Sequence, residues 1–187
     1  MKRLMTNYVL TAAIVCMGIS TTSDAQSKGP MAPMKVGSVT LNLGIGVGAE
    51  YNGDYYNQAL GIKGAVEWGI WKAGPGTITL GFETGGSFTN GGYYEDYRAG
   101  TYVVAGRSAW HYGWKVRGLD TYAGFSAGVG FHNYRYRNDL NYKYTKTIPV
   151  FGGFAGASYF VSPRFGFNAE VGYDITALQA GIIFRLK

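Results

Sequence analysis

From about residue 37 onward, apolar residues alternate with small or polar ones at period two, and no stretch carries a helical period. Eight such runs stand out, at about 37–49, 58–71, 77–88, 101–114, 119–131, 147–160, 165–174 and from 178 to the end. In the first, Val39, Leu41, Leu43, Ile45 and Val47 share one parity, and Thr40, Asn42, Gly44, Gly46 and Gly48 share the other. In the second, Leu60, Ile62, Val66, Trp68 and Ile70 oppose Lys63 and Glu67. The fourth sets Tyr102, Val104, Trp110, Tyr112 and Trp114 against Arg107 and His111; the seventh sets Phe167, Ala169, Val171 and Tyr173 against Asn168, Glu170 and Asp174. The sixth run is irregular. Its inward parity stays open, because Pro149 cannot donate to a ladder and Gly152-Gly153 suggests a bulge.

The connections alternate in length. Long ones are expected at 50–57, 89–100 and 132–146, and short ones, built from turn residues, at 72–76, 115–118 and 161–164. The last, 175–177, is short where a long one is due. Eight antiparallel strands with hairpin connections predict an all-β, up-and-down barrel, and long loops at one end with short turns at the other are the habit of transmembrane barrels.

Alternation does not say which face is inside. Volume does: an eight-stranded barrel has an interior only just filled by side chains, so turning every Leu, Ile, Phe and Trp inward would overfill it. The opposite face is rich in Gly, Ala and Ser and holds few charges, of both signs: Lys63, Glu67, Glu83, Arg107 and Glu170. A soluble exterior would be denser in charge. In a closed lumen each of these ions needs a partner, so the five are expected to form an internal ion-pair network. Aromatic belts are expected where strands meet the two interfaces, with Trp68, Trp71, Trp110, Trp114, Phe160, Phe165 and Phe184 at the short-turn end and Tyr51, Phe88, Tyr102, Phe131 and Tyr173 at the other.

The first residues read as a secretory leader. Lys2 and Arg3 precede a mostly apolar stretch from Leu4 to Ile19, and Ser23-Asp24-Ala25 supplies small residues before a cut after Ala25. The stretch falls short of the roughly 20 apolar residues that span a bilayer as a helix. Val15 before Cys16 argues against a lipidated cysteine. The expected organisation is a leader at 1–25, a tail at 26–36 and a barrel at 37–187, after eventual export to the cell outer membrane. From residue 26 the chain has no cysteine, 15 Lys and Arg, and 10 Asp and Glu, a net charge of +5. That excess favours acidic lipid head groups, and export argues against nucleic acid.

The runs RSAWHYGW at 107–114, LDTYAGFSAGVGF at 119–131 and SPRFGFNAEVGYDITALQAGIIFRLK at 162–187 resemble the small outer-membrane β-barrels of the OmpA and OmpX kind, above all the small barrels common in Bacteroidota. The resemblance covers about residues 37–187. It implies both termini in the periplasm, insertion by the outer-membrane assembly machinery, and a lumen closed by Glu–Arg and Glu–Lys pairs at Glu67, Glu83, Arg107 and Glu170. Such barrels often end in an aromatic residue; this chain ends Phe184-Arg185-Leu186-Lys187.

No catalytic, metal or cofactor set stands out, and none is expected. His111 and His132 are the only histidines, without ligand spacing. Ser108 and His111 have opposite parities, and His132 and Asp139 fall in the expected outer loop with no nucleophile beside them. The glycines of Gly44-Ile-Gly-Val-Gly48 sit at period two within a strand, with no helix after them, so no phosphate loop is implied. The segment 132–146 is the most suggestive. Tyr134 and Tyr136 alternate with Arg135 and Arg137, and Lys143 and Lys146 follow. It reads as a hairpin above the membrane with a tyrosine face and a basic face, suited to lipopolysaccharide phosphates or to an extracellular partner of unknown identity. The expected function is a non-enzymatic barrel of the outer membrane with an envelope-structural and surface-interaction role. A narrow channel for ions or small solutes is the alternative, and a lipid A-modifying enzyme the second alternative.

Overall fold

The computed structural model describes residues 34–47, 60–90, 97–136 and 143–187. The leader at 1–25, and with it most of the tail, lies outside them. The described chain forms eight strands: β1 (Val39–Val47), β2 (Leu60–Ala73), β3 (Gly76–Asn90), β4 (Tyr97–Gly113), β5 (Leu119–Tyr136), β6 (Lys143–Phe160), β7 (Phe165–Tyr173) and β8 (Leu178–Arg185). Each pairs antiparallel with its sequence neighbours, and β1 closes on β8 from Thr40 opposite Arg185 to Val47 opposite Leu178. The architecture is an all-β, eight-stranded antiparallel up-and-down barrel. The tight turn between β2 and β3 depends on Gly74, whose φ of 59° lies in the left-handed region that a side chain disfavours.

Polarity is inverted relative to a soluble protein. Phe151 is 70% exposed, Phe125 66% and Phe82 65%, whereas Lys63 is 1% exposed and Arg107 3%. Apolar exposure on that scale, continuous around a closed wall, marks a surface made for acyl chains. Over the length that all eight strands share, the closed sheet pairs each strand on both sides, as hydrocarbon requires. The fold therefore defines a transmembrane β-barrel.

The wall is uneven. β7, β8 and β1 have 9, 8 and 9 residues, whereas β4, β5 and β6 have 17, 18 and 18. At about 3.3 Å per residue and a tilt near 40°, nine residues rise roughly 23 Å, close to the apolar band, while eighteen rise roughly 45 Å and stand clear of it. β5 and β6 stay paired as far as Arg135 opposite Lys143, so much of the segment read as an outer loop is continuous hairpin.

β6 corrects the expected bulge. Its register to β5 is unbroken through Gly152-Gly153, and its even positions face inward: Val150, Phe154, Ser158 and Phe160 are buried, while Phe151 and Tyr159 are exposed. Pro149 is tolerated because β7 reaches only as far as Gly153, so among the described residues that stretch of β6 has a strand on one side alone. The register shift lies instead in β2, between Gly69 and Trp71, and it turns both Ile70 and Trp71 outward. The belts need one correction: Phe160 is 1% exposed and faces the lumen, beneath the Arg185 guanidinium 4.3 Å from its ring centroid. Tyr51 lies outside the described residues.

Candidate functional site: the lumen and the outer hairpin

All five charged residues singled out from the sequence lie in the lumen and touch one another, because each sits on the inward parity of its strand. Arg107 of β4 is the hub. Its guanidinium meets Glu67 of β2 at 2.5 Å, Glu83 of β3 at 3.0 Å and Glu170 of β7 at 3.1 Å, and lies 4.0 Å from the centroid of the Phe154 ring. Lys63 of β2 pairs with Glu170 and, at 2.7 Å, with Asp174. At the other end, His111 has Nε2 2.8 Å from Glu67 and Nδ1 2.9 Å from Asp120, with the Tyr122 ring stacked at 5.0 Å. With a carboxylate on each ring nitrogen, both nitrogens are placed to donate, the pattern of an imidazolium.

The result is one chain of alternating sign: Asp174, Lys63, Glu170, Arg107, Glu67, His111, Asp120, with Glu83 as a branch. It runs from the long-loop end of the lumen to the short-turn end. Sequence reasoning left Asp120, Asp174 and His111 out of the network. Their parity was the available signal, since each shares the polar face of its strand with a residue that was included or with Ser126.

The short connection after β7 closes one mouth. Asp174, Ile175 and Thr176 are buried. The Asp174 carboxylate accepts a hydrogen bond from the Thr176 amide at 3.1 Å and is held by Lys63. Ile175 packs against Val103, Ala105 and Val150 on the inner wall. Glycines make its seat: a Cβ on Gly46 would lie 2.8 Å from Thr176 Cβ, and one on Gly152 would lie 2.6 Å from Asp174 Cβ. Side chains thus fill the interior from ladder to mouth, and the glycine alternation of β1 has a steric use.

Other expectations fall out differently. His132 is not in a loop: it is buried in β5, with Nδ1 2.5 Å from the Thr101 hydroxyl. Ser108, as its parity predicts, lies on the face opposite to His111, and its hydroxyl donates to the Thr79 carbonyl at 2.9 Å. Asp139 and Arg137 lie outside the described residues. The outer cations do not share one row: Arg135 stands opposite Lys143 and, across β4, opposite Arg98, whereas exposed Lys146 stands opposite His132. Tyr134 is paired with Tyr144, and Tyr136 with Tyr97. Arg137, the fourth of these cations, lies outside the described residues.

Fold and lumen together define the class, a small barrel that crosses a bilayer around a filled, ion-paired interior. No protein-family model matches the sequence, and no curated protein matches it. Among solved structures, a de novo designed transmembrane β-barrel is 21% identical, with 82% of this chain and 98% of that chain covered and a TM-score of 0.48. The N-terminal β-barrel domain of Pseudomonas aeruginosa OprF is 15% identical, with 81% and 98% covered and a TM-score of 0.48. Ail, the attachment invasion locus protein of Yersinia pestis, is 11% identical, with 79% and 93% covered and a TM-score of 0.45.

Proposed function

We propose that the chain is a non-enzymatic barrel of the outer membrane, which contributes to envelope structure and presents its tall wall for surface interaction. The observation that carries this reading is the filled lumen: the ladder from Asp174 to Asp120 and the inward-folded connection at 174–177 leave the wall and the outer hairpin as the surfaces available to a partner. Export through a leader at 1–25 and insertion by the assembly machinery belong to the same reading. So does the structural role of the ion-pair network, which ties β2, β3, β4, β5 and β7 together across the lumen.

The register favours lipopolysaccharide as one partner of the outer hairpin. Arg98, Arg135 and Lys143 share a row two positions beyond Gly100, Asn133 and Thr145 and four beyond Tyr102, Phe131 and Thr147. At about 3.3 Å per residue, that row stands roughly 13 Å along the strands from the aromatic Tyr102 and Phe131. Replacing Arg135, Arg137, Lys143 and Lys146 by Gln is expected to weaken binding to lipopolysaccharide vesicles, and adding Arg98→Gln to weaken it further; unchanged binding would refute the phosphate reading. Planar-bilayer recording separates the barrel from a channel. The wild-type protein is expected to show no steady openings, and openings that depend on Arg107 would favour the channel.

A further inference from the structure

The charges of this barrel are sorted by height. From residue 26 on, five of the ten acids, Glu67, Glu83, Asp120, Glu170 and Asp174, are lumen residues in the ladder. The other five, Glu50, Asp54, Glu95, Asp96 and Asp139, fall in sequence between β1 and β2, β3 and β4, and β5 and β6, the connections at the long-loop end. Among the described residues, the charged side chains exposed at the short-turn end are all cations. Lys35, Lys72, Lys115, Arg117, Arg164 and Lys187 are all exposed there, and among the described residues no exposed acidic side chain accompanies them.

These six are spread around the circumference rather than gathered on one side. Lys72 lies at the β2–β3 turn, Lys115 and Arg117 at the β4–β5 turn, Arg164 at the β6–β7 turn, and Lys35 and Lys187 where β1 and β8 close. Backbone bonds fix the last positions: the Val39 amide donates to the Lys187 carbonyl at 3.0 Å, and the Arg185 amide to the Arg164 carbonyl at 2.9 Å. Three of them adjoin the aromatic belt of this end in sequence. Lys72 follows Trp71, Lys115 follows Trp114 and Arg164 precedes Phe165. The belt is built for an interface: the Trp110 indole donates to the Ala73 carbonyl at 3.0 Å, the Trp114 indole donates to the Thr121 hydroxyl at 2.8 Å, and Trp71 is 50% exposed.

We infer that the short-turn rim is a collar for anionic phospholipid head groups, formed by Lys35, Lys72, Lys115, Arg117, Arg164 and Lys187 just beyond the Trp71, Trp110 and Trp114 belt. A ring of cations at the level where acyl chains end matches an annulus of lipids. A single polymeric or protein partner would call for a one-sided patch. Each Lys or Arg near an anionic surface adds attraction, so a ring of six supplies a preference over zwitterionic lipid. The inference rests on the membrane reading of the outer wall and is independent of what the outer hairpin binds.

All four tryptophans lie near this rim, Trp68 and Trp71 on β2, Trp110 on β4 and Trp114 just after it, and report on it directly. The folded protein is placed in phosphatidylcholine vesicles containing the same mole fraction of brominated phosphatidylglycerol or brominated phosphatidylcholine, and tryptophan quenching is compared. Stronger quenching by the brominated phosphatidylglycerol is expected. In the variant Lys72→Gln/Lys115→Gln/Arg117→Gln/Arg164→Gln the preference should fall by a factor of about two to five. A variant at the other end, Arg135→Gln/Lys143→Gln, should keep it. Folding is checked by heat-modifiable migration; if the four-site variant does not fold, the single variants Lys72→Gln and Arg164→Gln carry the same test at smaller amplitude. Equal quenching by the two lipids in the wild type would overturn the inference, and so would a preference that survives in the folded variants. Equal quenching joined to charge-dependent co-sedimentation with peptidoglycan would assign the collar to that polymer instead.

Discussion

Arg107 offers the strictest test of the lumen. It is 3% exposed, pairs with three carboxylates and lies over the Phe154 ring. Glu67 and Glu170 have second partners in His111 and Lys63, but among the described ion pairs Glu83 has Arg107 alone. Arg107→Met keeps much of the packing and removes the charge, so the loss should concentrate on Glu83. Breaking a buried pair in this way costs about 3–5 kcal/mol, because one ion is left uncompensated. Glu83→Gln in the wild type removes one charge-assisted bond, worth about 1.5–3 kcal/mol. In the Arg107→Met background the same substitution removes the stranded charge, so its sign should reverse and return about 1–3 kcal/mol. The assay is urea unfolding in lipid vesicles, approached from both the folded and unfolded sides and followed by tryptophan emission and gel mobility. An Arg107→Met protein within about 1 kcal/mol of wild type would refute the ladder's energetic role. Equal destabilisation by Glu83→Gln in both backgrounds would do the same.

Two further predictions concern the mouth and the leader. Gly61→Ala should push its new methyl against the Thr176 methyl and destabilise the barrel by roughly 1–3 kcal/mol, with faster protease cleavage within 174–177; Thr176→Ser, which removes that methyl and keeps the hydroxyl, should restore part of the loss in the same unfolding assay. Mass analysis of the protein isolated from outer membranes should show Gln26 as the first residue, and an intact Met1 or an acylated Cys16 would overturn the proposed processing.

The fold was legible because a two-residue period survives almost everywhere, and period alone assigns face. Val39 to Val47 and Phe165 to Tyr173 need no tertiary information to be placed. Boundaries were less legible where a strand outlasts the membrane. Beyond Phe131 the apolar parity ends, but β5 continues to Tyr136 because β4 and β6 pair with it, and that support is non-local. His132 was misplaced for this reason: its burial against Thr101 comes from a neighbouring strand rather than from its own pattern. Likewise Pro149 and Gly152-Gly153 look like strand breakers until one sees that β7 stops at Gly153.

The short 174–177 connection shows what sequence parity misses and chain geometry supplies. By length it broke the alternation of long and short links, and nothing local explained why. In three dimensions it is short because it folds into the mouth instead of over it, where Gly46 of β1 and Gly152 of β6 leave room for Thr176 and Asp174. Lys63 then does two things at once: it neutralises Glu170 within the ladder and holds Asp174 at the mouth. A cation at 63 is therefore required by both ends of the upper lumen. The pairing also couples them, since a change that frees Lys63 from Glu170 leaves the connection held by a lysine with one carboxylate fewer to fix its position. Closure of the mouth and integrity of the ladder are one electrostatic problem in this barrel, and the glycine seat is what lets a four-residue link take part in it.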